Sequence, residues 1–180
     1  RGNIQYSTMI SKLCCFNPRT EFILRLIKDM FSENADQQIM VLAHNKNILK
    51  YLHDAIEKRE IAGGSVGYYI GGMKEPALKE TEGKKIVIAT YSMASEALDI
   101  KSLTTLIMAT PKTEIEQAVG RILRQKHGTP IVVDIIDSHE VFLSQWQKRR
   151  KYYNENNYQI MHTKSPSYAL DKWSDAHIST

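Results

Sequence analysis

Five short apolar runs punctuate this chain, and amphipathic stretches fill the intervals between them. The runs are Gln38–Ala43 (QIMVLA), Val66–Ile70 (VGYYI), Lys85–Thr90 (KIVIAT), Thr104–Ala109 (TTLIMA) and Pro130–Ile136 (PIVVDII). They are rich in β-branched residues, and several are nearly continuous in apolar character. Strands buried on both faces of a parallel sheet read this way, whereas half-solvated strands alternate.

The intervals carry helical patterns. Asn17-Pro18 reads as an N-cap followed by proline at the first helical position. After it, Phe22, Ile23, Leu26, Ile27, Met30 and Phe31 fall on one stripe. Asn45 is placed to cap a second helix whose Ile48, Leu49, Leu52 and Ile56 face the sheet. A short helix is expected after Gly71-Gly72, another over Met93–Leu98, another over Glu114–Gln125, and a last one from about Glu140 to Asn154 carrying Phe142, Leu143 and Trp146. Strand–helix alternation with short connections predicts an α/β fold, an open, mainly parallel sheet with helices on both faces.

Such sheets bind ligands at the carboxyl ends of their strands. That directs attention to His44-Asn45, Gly71-Gly72, Tyr91-Ser92 and the segment Pro111–Glu114. The body is read as one domain over residues 1–162, with residues 1–16 an irregular lead-in without periodicity. Residues from about 163 to 180 are polar, with Ser, Pro and Asp, and read as a loosely packed or disordered tail. No internal repeat is visible.

Composition narrows the class only slightly. The 180 residues are 42% hydrophobic and 24% charged, ordinary for a globular domain that needs no disulfide to hold its core. A net charge of +4 and a pI of about 9.0 lean weakly toward phosphate-rich partners. Cys14 and Cys15 are neighbours, which suits reduced thiols and an intracellular setting, cytoplasmic or nuclear. No apolar run approaches the roughly 20 residues that span a bilayer, so a membrane partner is not expected. The first residue is Arg1 rather than Met, as in a fragment of a longer protein.

Several chemistries lack their parts. Ala62-Gly63-Gly64-Ser65 has glycines but no lysine to reach a phosphate chain. Val132-Val133-Asp134 resembles the run-plus-Asp that holds magnesium beside a phosphate loop, but that loop is missing from the sequence. The six histidines form no metal-ligand spacing, so no metal site is expected. Alone, this chain is not expected to be a complete enzyme.

The stretch Glu114–Arg124 reads EIEQAVGRILR. On a helix, Gln117, Arg121 and Arg124 stand at i, i+4 and i+7 on one face, with Gly120 among them. Ile115, Ala118, Val119 and Ile122 lie on the opposite side, free to bury. Paired guanidinium groups match phosphate oxygens, and a glycine beside them admits a close ligand. Arginines at helical spacing are more often a solvated basic face, but the glycine and glutamine on the same face shift that balance.

This stretch resembles motif VI of superfamily 2 helicases, Q/H-x-x-G-R-x-x-R, a family whose motor is a pair of RecA-like domains. The resemblance implies that Arg124 is an arginine finger, Arg121 a second contact to the γ-phosphate, and Gln117 a link toward the nucleotide and the partner domain's acidic motif, with Gly120 allowing close approach. Ile88–Ile100 (IATYSMASEALDI) is similar to motif V. There Thr90 and Ser92 would hold a nucleic-acid phosphate, and Asp99 would contact the nucleotide ribose. Ala97 departs from the glycine usual in the family. Gln38–Asn47 looks like motif IV, placing His44 and Asn45 at the nucleic-acid backbone, and Tyr69–Gly72 resembles the next strand-end motif, where Gly71 and Gly72 allow phosphate approach. For these loop residues, ordinary capping and turn formation account for the residue types equally well.

The resemblance covers about residues 19–160. Its closing stretch, with Arg149, Arg150, Lys151, Tyr152, Tyr153 and the phrase NNYQI, is similar to XPB- and UvsW-related helicases, including those of large DNA viruses that act on transcripts. For a viral member the location would be host cytoplasm or virion. The basic run Lys148–Lys151 reads equally as a solvated face. Taken together, the expected function is the C-terminal half of an ATP-dependent helicase or translocase of DNA or RNA. Its own N-terminal RecA-like domain, the expected partner, would hold ATP and Mg. The alternative is a non-catalytic nucleic-acid or protein binding module on the same scaffold.

Overall fold

The computed structural model describes residues 9, 17–94, 100–115, 119–120, 130–168 and 174–175. In chain order the elements are α1 (Asn17–Glu33), β1 (Ile39–Ala43), α2 (Lys46–Lys58), β2 (Val66–Tyr69), α3 (Glu75–Glu82), β3 (Ile86–Thr90), α4 (Tyr91–Ala94), β4 (Thr105–Met108), β5 (Ile131–Asp134), α5 (Glu140–Glu155), β6 (Met161–His162), α6 (Ser165–Tyr168) and β7 (Ser174–Asp175). A turn of 3-10 helix, Ile61–Gly64, joins α2 to β2.

Strands β1 to β5 form one sheet in the order β2-β3-β1-β4-β5, and every pairing in it is parallel. Each of the five apolar runs became one of these strands, shortened by a residue or more at most of the ends. Strand β1 is central and entirely buried.

Alternation within the strands divides the core in two. Ile39, Val41, Ala43, Ile86, Ile88 and Ile107 point to one face, where α1 and α2 bring Ile23, Leu24, Ile27, Ile48, Leu49, Leu52 and Ile56. Met40, Leu42, Val87, Ala89, Leu106 and Met108 point to the other, where they meet Tyr91, Ile100, Ile115, Val119 and Tyr153. The open parallel sheet with helices on both faces is therefore as the hydrophobic pattern predicts.

Three local readings change. Asn17 is itself the first residue of α1 rather than a residue preceding it. Of the apolar residues named on the last helix, Leu143 is exposed, while Phe142 beside it is buried. The pattern assigned no element beyond residue 163, yet α6 forms there and Tyr168 docks on α1. Its ring meets Phe22 edge-on with centroids 5.4 Å apart, and its hydroxyl donates to Asp29 Oδ2 at 2.7 Å. An aromatic ring in a polar segment still has apolar area to bury, and the Tyr168 ring found the end of the α1 stripe.

Candidate nucleic-acid and nucleotide-facing site

The carboxyl ends of β1, β2 and β3 open onto a cleft of about 300 Å³ lined by His44, Lys46, Gly71, Thr90, Tyr91 and Ser92. Four of the six nucleic-acid-facing residues expected from the sequence thus share one cavity wall. Parallel pairing explains this, since it brings the strand ends and their loops to the same edge.

Each residue is held differently. Thr90 is buried, and its Oγ1 lies 3.1 Å from Ser92 Oγ, so the two hydroxyls act as a pair. The His44 N–H donates to Thr110 Oγ1 at 2.9 Å, and its Nε2 donates to Pro111 O at 2.8 Å. Its ring packs on Tyr91 with centroids 4.7 Å apart. The crowding lowers its pKa below the ordinary 6.5; the nearby Lys112 cation pushes the same way, and the Pro111 bond opposes them in part. Lys112 stands 4.9 Å above the Tyr91 ring, a cation–π arrangement.

Gly71 and Gly72 form an exposed turn at the lip, and a Cβ on either would meet nothing within 4 Å. The space a phosphate would need is open, and Gly72 has φ +87°. Asn45 caps α2: its side-chain oxygen accepts the Asn47 N–H at 2.7 Å. It does not line the cleft. Lys46, the first residue of α2, lines it instead; the signal was a lysine immediately after a capped strand end, which the sequence reading passed over.

The second half of the expected site is the Glu114–Arg124 stretch. Gln117, Arg121, Arg124 and Asp99 lie outside the described residues. Of their neighbours, Ile115 and Val119 are buried against the sheet and Gly120 is exposed. The Val119 N–H donates to Ile115 O at 2.8 Å, one helical turn. A Cβ on Gly120 would come 3.3 Å from Tyr152 Oη, so glycine is also what the α5 side of this turn accommodates.

Two buried ion pairs flank the site, and the sequence reading anticipated neither. Arg149, from the run read as a solvated face, is 1% exposed. It forks onto Asp134, with Nε and Nη2 each 2.8 Å from a carboxylate oxygen, and Nη1 donates to Lys112 O at 2.8 Å. Tyr153 Oη adds a third bond to Asp134 at 2.9 Å, and burial together with that carboxylate pushes its phenol pKa far up. Asp134, weighed above as a magnesium ligand, has its carboxylate occupied by these donors. On the opposite face Arg19 forks onto Asp137 at 2.8 and 3.0 Å and donates to Ala109 O. Among the described residues no group of three or more His, Cys, Asp or Glu is arranged to hold a metal ion, and no helix is long and apolar enough to cross a membrane.

Comparison with known proteins agrees with this layout. Residues 19–126 match the family model described as the helicase conserved C-terminal domain. A protein of Acanthamoeba polyphaga mimivirus, provisionally named an ATP-dependent RNA helicase, is 38% identical over 175 residues, covering 94% of this chain and 33% of its own length. An African swine fever virus protein with the same provisional description is 31% identical over 130 residues, covering 68% of this chain and 25% of its own. This chain thus spans about a third or less of the length of these two relatives. In fold it is similar to T4 UvsW, with a TM-score of 0.64 at 21% identity over 83% of this chain and 35% of that one. It is also similar to the helicase MrfA, solved bound to DNA and AMPPNP, with a TM-score of 0.58 at 21% identity over 76% of this chain and 20% of that one.

Proposed function

This chain belongs to the helicase conserved C-terminal domain family, and we propose that it is the second RecA-like half of an ATP-driven helicase or translocase acting on DNA or RNA. In the intact protein a preceding RecA-like domain binds ATP with Mg. This domain closes over that nucleotide with Arg124 as the arginine finger and Arg121 as a second phosphate contact, while Gln117 and Asp99 help seat it. His44, Lys46, Gly71, Thr90 and Ser92 grip one strand along its phosphates. Closure and opening then alternate between states of different strand affinity, which is what moves the strand.

The observation that carries this reading is the cleft at the carboxyl ends of β1, β2 and β3, where His44, Lys46, Gly71, Thr90 and Ser92 meet. In the Glu114–Arg124 stretch Ile115 and Val119 are buried and Gly120 is exposed beside Tyr152. The i, i+4, i+7 spacing of the sequence groups Gln117, Arg121 and Arg124 with Gly120 as the expected outer face. Bound ATP supplies the phosphoanhydride bond to be hydrolysed. Guanidinium groups offset the charge that spreads over its γ-phosphoryl oxygens, without any proton transfer of their own. The cleft supplies a lysine cation, hydroxyls and open glycine backbone, groups suited to phosphate contacts.

Arg124→Ala in the intact protein tests the reading. ATP turnover should fall by about 10³-fold or more, the range found for such arginines, while binding of single-stranded RNA or DNA stays within about threefold. Wild-type turnover in that variant would overturn it. The 180 residues by themselves should hydrolyse no ATP.

A further inference from the structure

The segment Ala109–Lys112 after β4 has no regular structure, yet its four successive carbonyls each accept a bond from a different side chain. Ala109 O accepts from Arg19 of α1. Thr110 O accepts from Tyr91 Oη at 2.6 Å, at the start of α4. Pro111 O accepts from His44 Nε2 at 2.8 Å, in the turn after β1. Lys112 O accepts from Arg149 Nη1 at 2.8 Å, on α5. The two arginines reach it from opposite faces of the sheet, and each is itself locked by an aspartate at or just beyond the end of β5. The middle two donors, His44 and Tyr91, are walls of the cleft.

We propose that Ala109–Lys112 is a coupling segment: it transmits the state of the strand cleft to the nucleotide-facing helix, and Arg149 is a positioning residue for that helix. The proposal rests on the functional reading above. Ala109, Thr110 and Pro111 are buried, so their carbonyls need protein partners in place of water. Here protein donors hold all four, so the segment cannot shift at one point without disturbing its holders. From Lys112 only three steps of chain lead to buried Ile115, at most about 11 Å when extended. Movement of the Lys112 carbonyl is therefore passed along this short stretch toward Ile115. A phosphate that displaces His44 or Tyr91 moves Pro111 or Thr110 directly. Buried ion pairs add little net stability over apolar packing of the same shape, and their best-attested use is to fix one arrangement.

The test uses the intact protein, single-stranded RNA and DNA, and ATP. The triple variant Asp134→Leu/Arg149→Met/Tyr153→Phe removes the whole polar cluster at once and leaves no buried charge behind. It should unfold within about 5 °C of wild type, bind either strand and ATP within about threefold, and lose about tenfold or more in kcat with nucleic acid present. If the triple variant fails to fold, Arg149→Lys decides. It keeps the cation beside Asp134 but lacks the fork that spans both Asp134 and Lys112 O, and should show the same kcat loss without a KM change. Adding either change to Arg124→Ala should lower turnover no further, because both act through one helix.

A merely structural role would lower the unfolding midpoint and leave kcat per folded molecule unchanged. Unchanged kcat in folded Arg149→Lys overturns the proposal while leaving the functional reading standing. Wild-type turnover in Arg124→Ala removes both.

Discussion

Asp134→Ala is the sharpest single perturbation of this domain. The substitution strips three bonds from the carboxylate, two from Arg149 and one from Tyr153. What remains is a guanidinium group 1% exposed with one carbonyl partner, Lys112 O. Charge-assisted bonds contribute about 1.5–3 kcal/mol each, so simple addition gives an upper bound near 9 kcal/mol. Addition overstates the loss, because the attraction must first offset the desolvation of both ions. Broken buried pairs cost about 3–5 kcal/mol, most of it the penalty of the stranded charge. For a chain of this size each kcal/mol moves the midpoint by about 2–4 °C. Thermal unfolding of the 180-residue chain, followed by circular dichroism, should therefore show a midpoint lower by about 6–20 °C. Asp134→Leu combined with Arg149→Met and Tyr153→Phe should recover most of that loss. If Asp134→Ala shifts the midpoint by less than about 2 °C, the pair is not buried in the way described. If the triple variant is no better than the single, the stranded charge is not the cause.

Two further outcomes test the cleft. His44 has a folded pKa below its unfolded value, so the unfolded state takes up its proton first on acidification. Its contribution is fully present above the ordinary 6.5 and is lost as pH falls through the depressed folded value. The wild-type midpoint should therefore fall more steeply than that of His44→Gln from pH 7 to 5, and parallel profiles would refute the assignment. At the lip, Gly71→Ala and Gly72→Ala each add a Cβ into open space, but only Gly72 has a positive φ, +87°. Gly72→Ala should cost about 1–2 kcal/mol in stability from backbone strain alone. Gly71→Ala should leave stability unchanged and weaken single-strand binding; equal stability losses would show that backbone strain does not distinguish them.

In the proposed coupling the cleft and the Glu114–Arg124 stretch are joined through backbone, not through a side-chain relay. Phosphates repeat along every nucleic acid, and a site that senses them needs cations, hydroxyls and stiff backbone rather than base-edge donors. Lys46 and the Thr90–Ser92 pair are of that kind. The arginines that hold the segment are of another: they are buried, and each is paired with an aspartate within the fold.

Sequence alone determined the strands, most of the packed faces of the helices and the edge of the sheet where the cleft opens. These depend on near-neighbour periodicity and on the rule that parallel strands deliver their carboxyl ends to one edge. Ile39–Ala43 is apolar at every position because both its faces are covered, and that is visible without coordinates. The Glu114–Arg124 stretch announced itself because a glycine, a glutamine and two arginines at helical spacing are a rare combination. Tertiary structure decided what distance along the chain conceals. Lys148–Lys151 is a uniform basic run in sequence, yet one turn of α5 sends Arg149 inward while Lys151 stays in solvent. Its aspartate is 15 residues earlier and its carbonyl partner 37 residues earlier. Asn45 and Lys46 are adjacent, and only the folded turn assigns one to the cap and the other to the cleft. The coupling segment left no trace in sequence at all, because every residue has a carbonyl and only the packed fold selects which ones a side chain will hold.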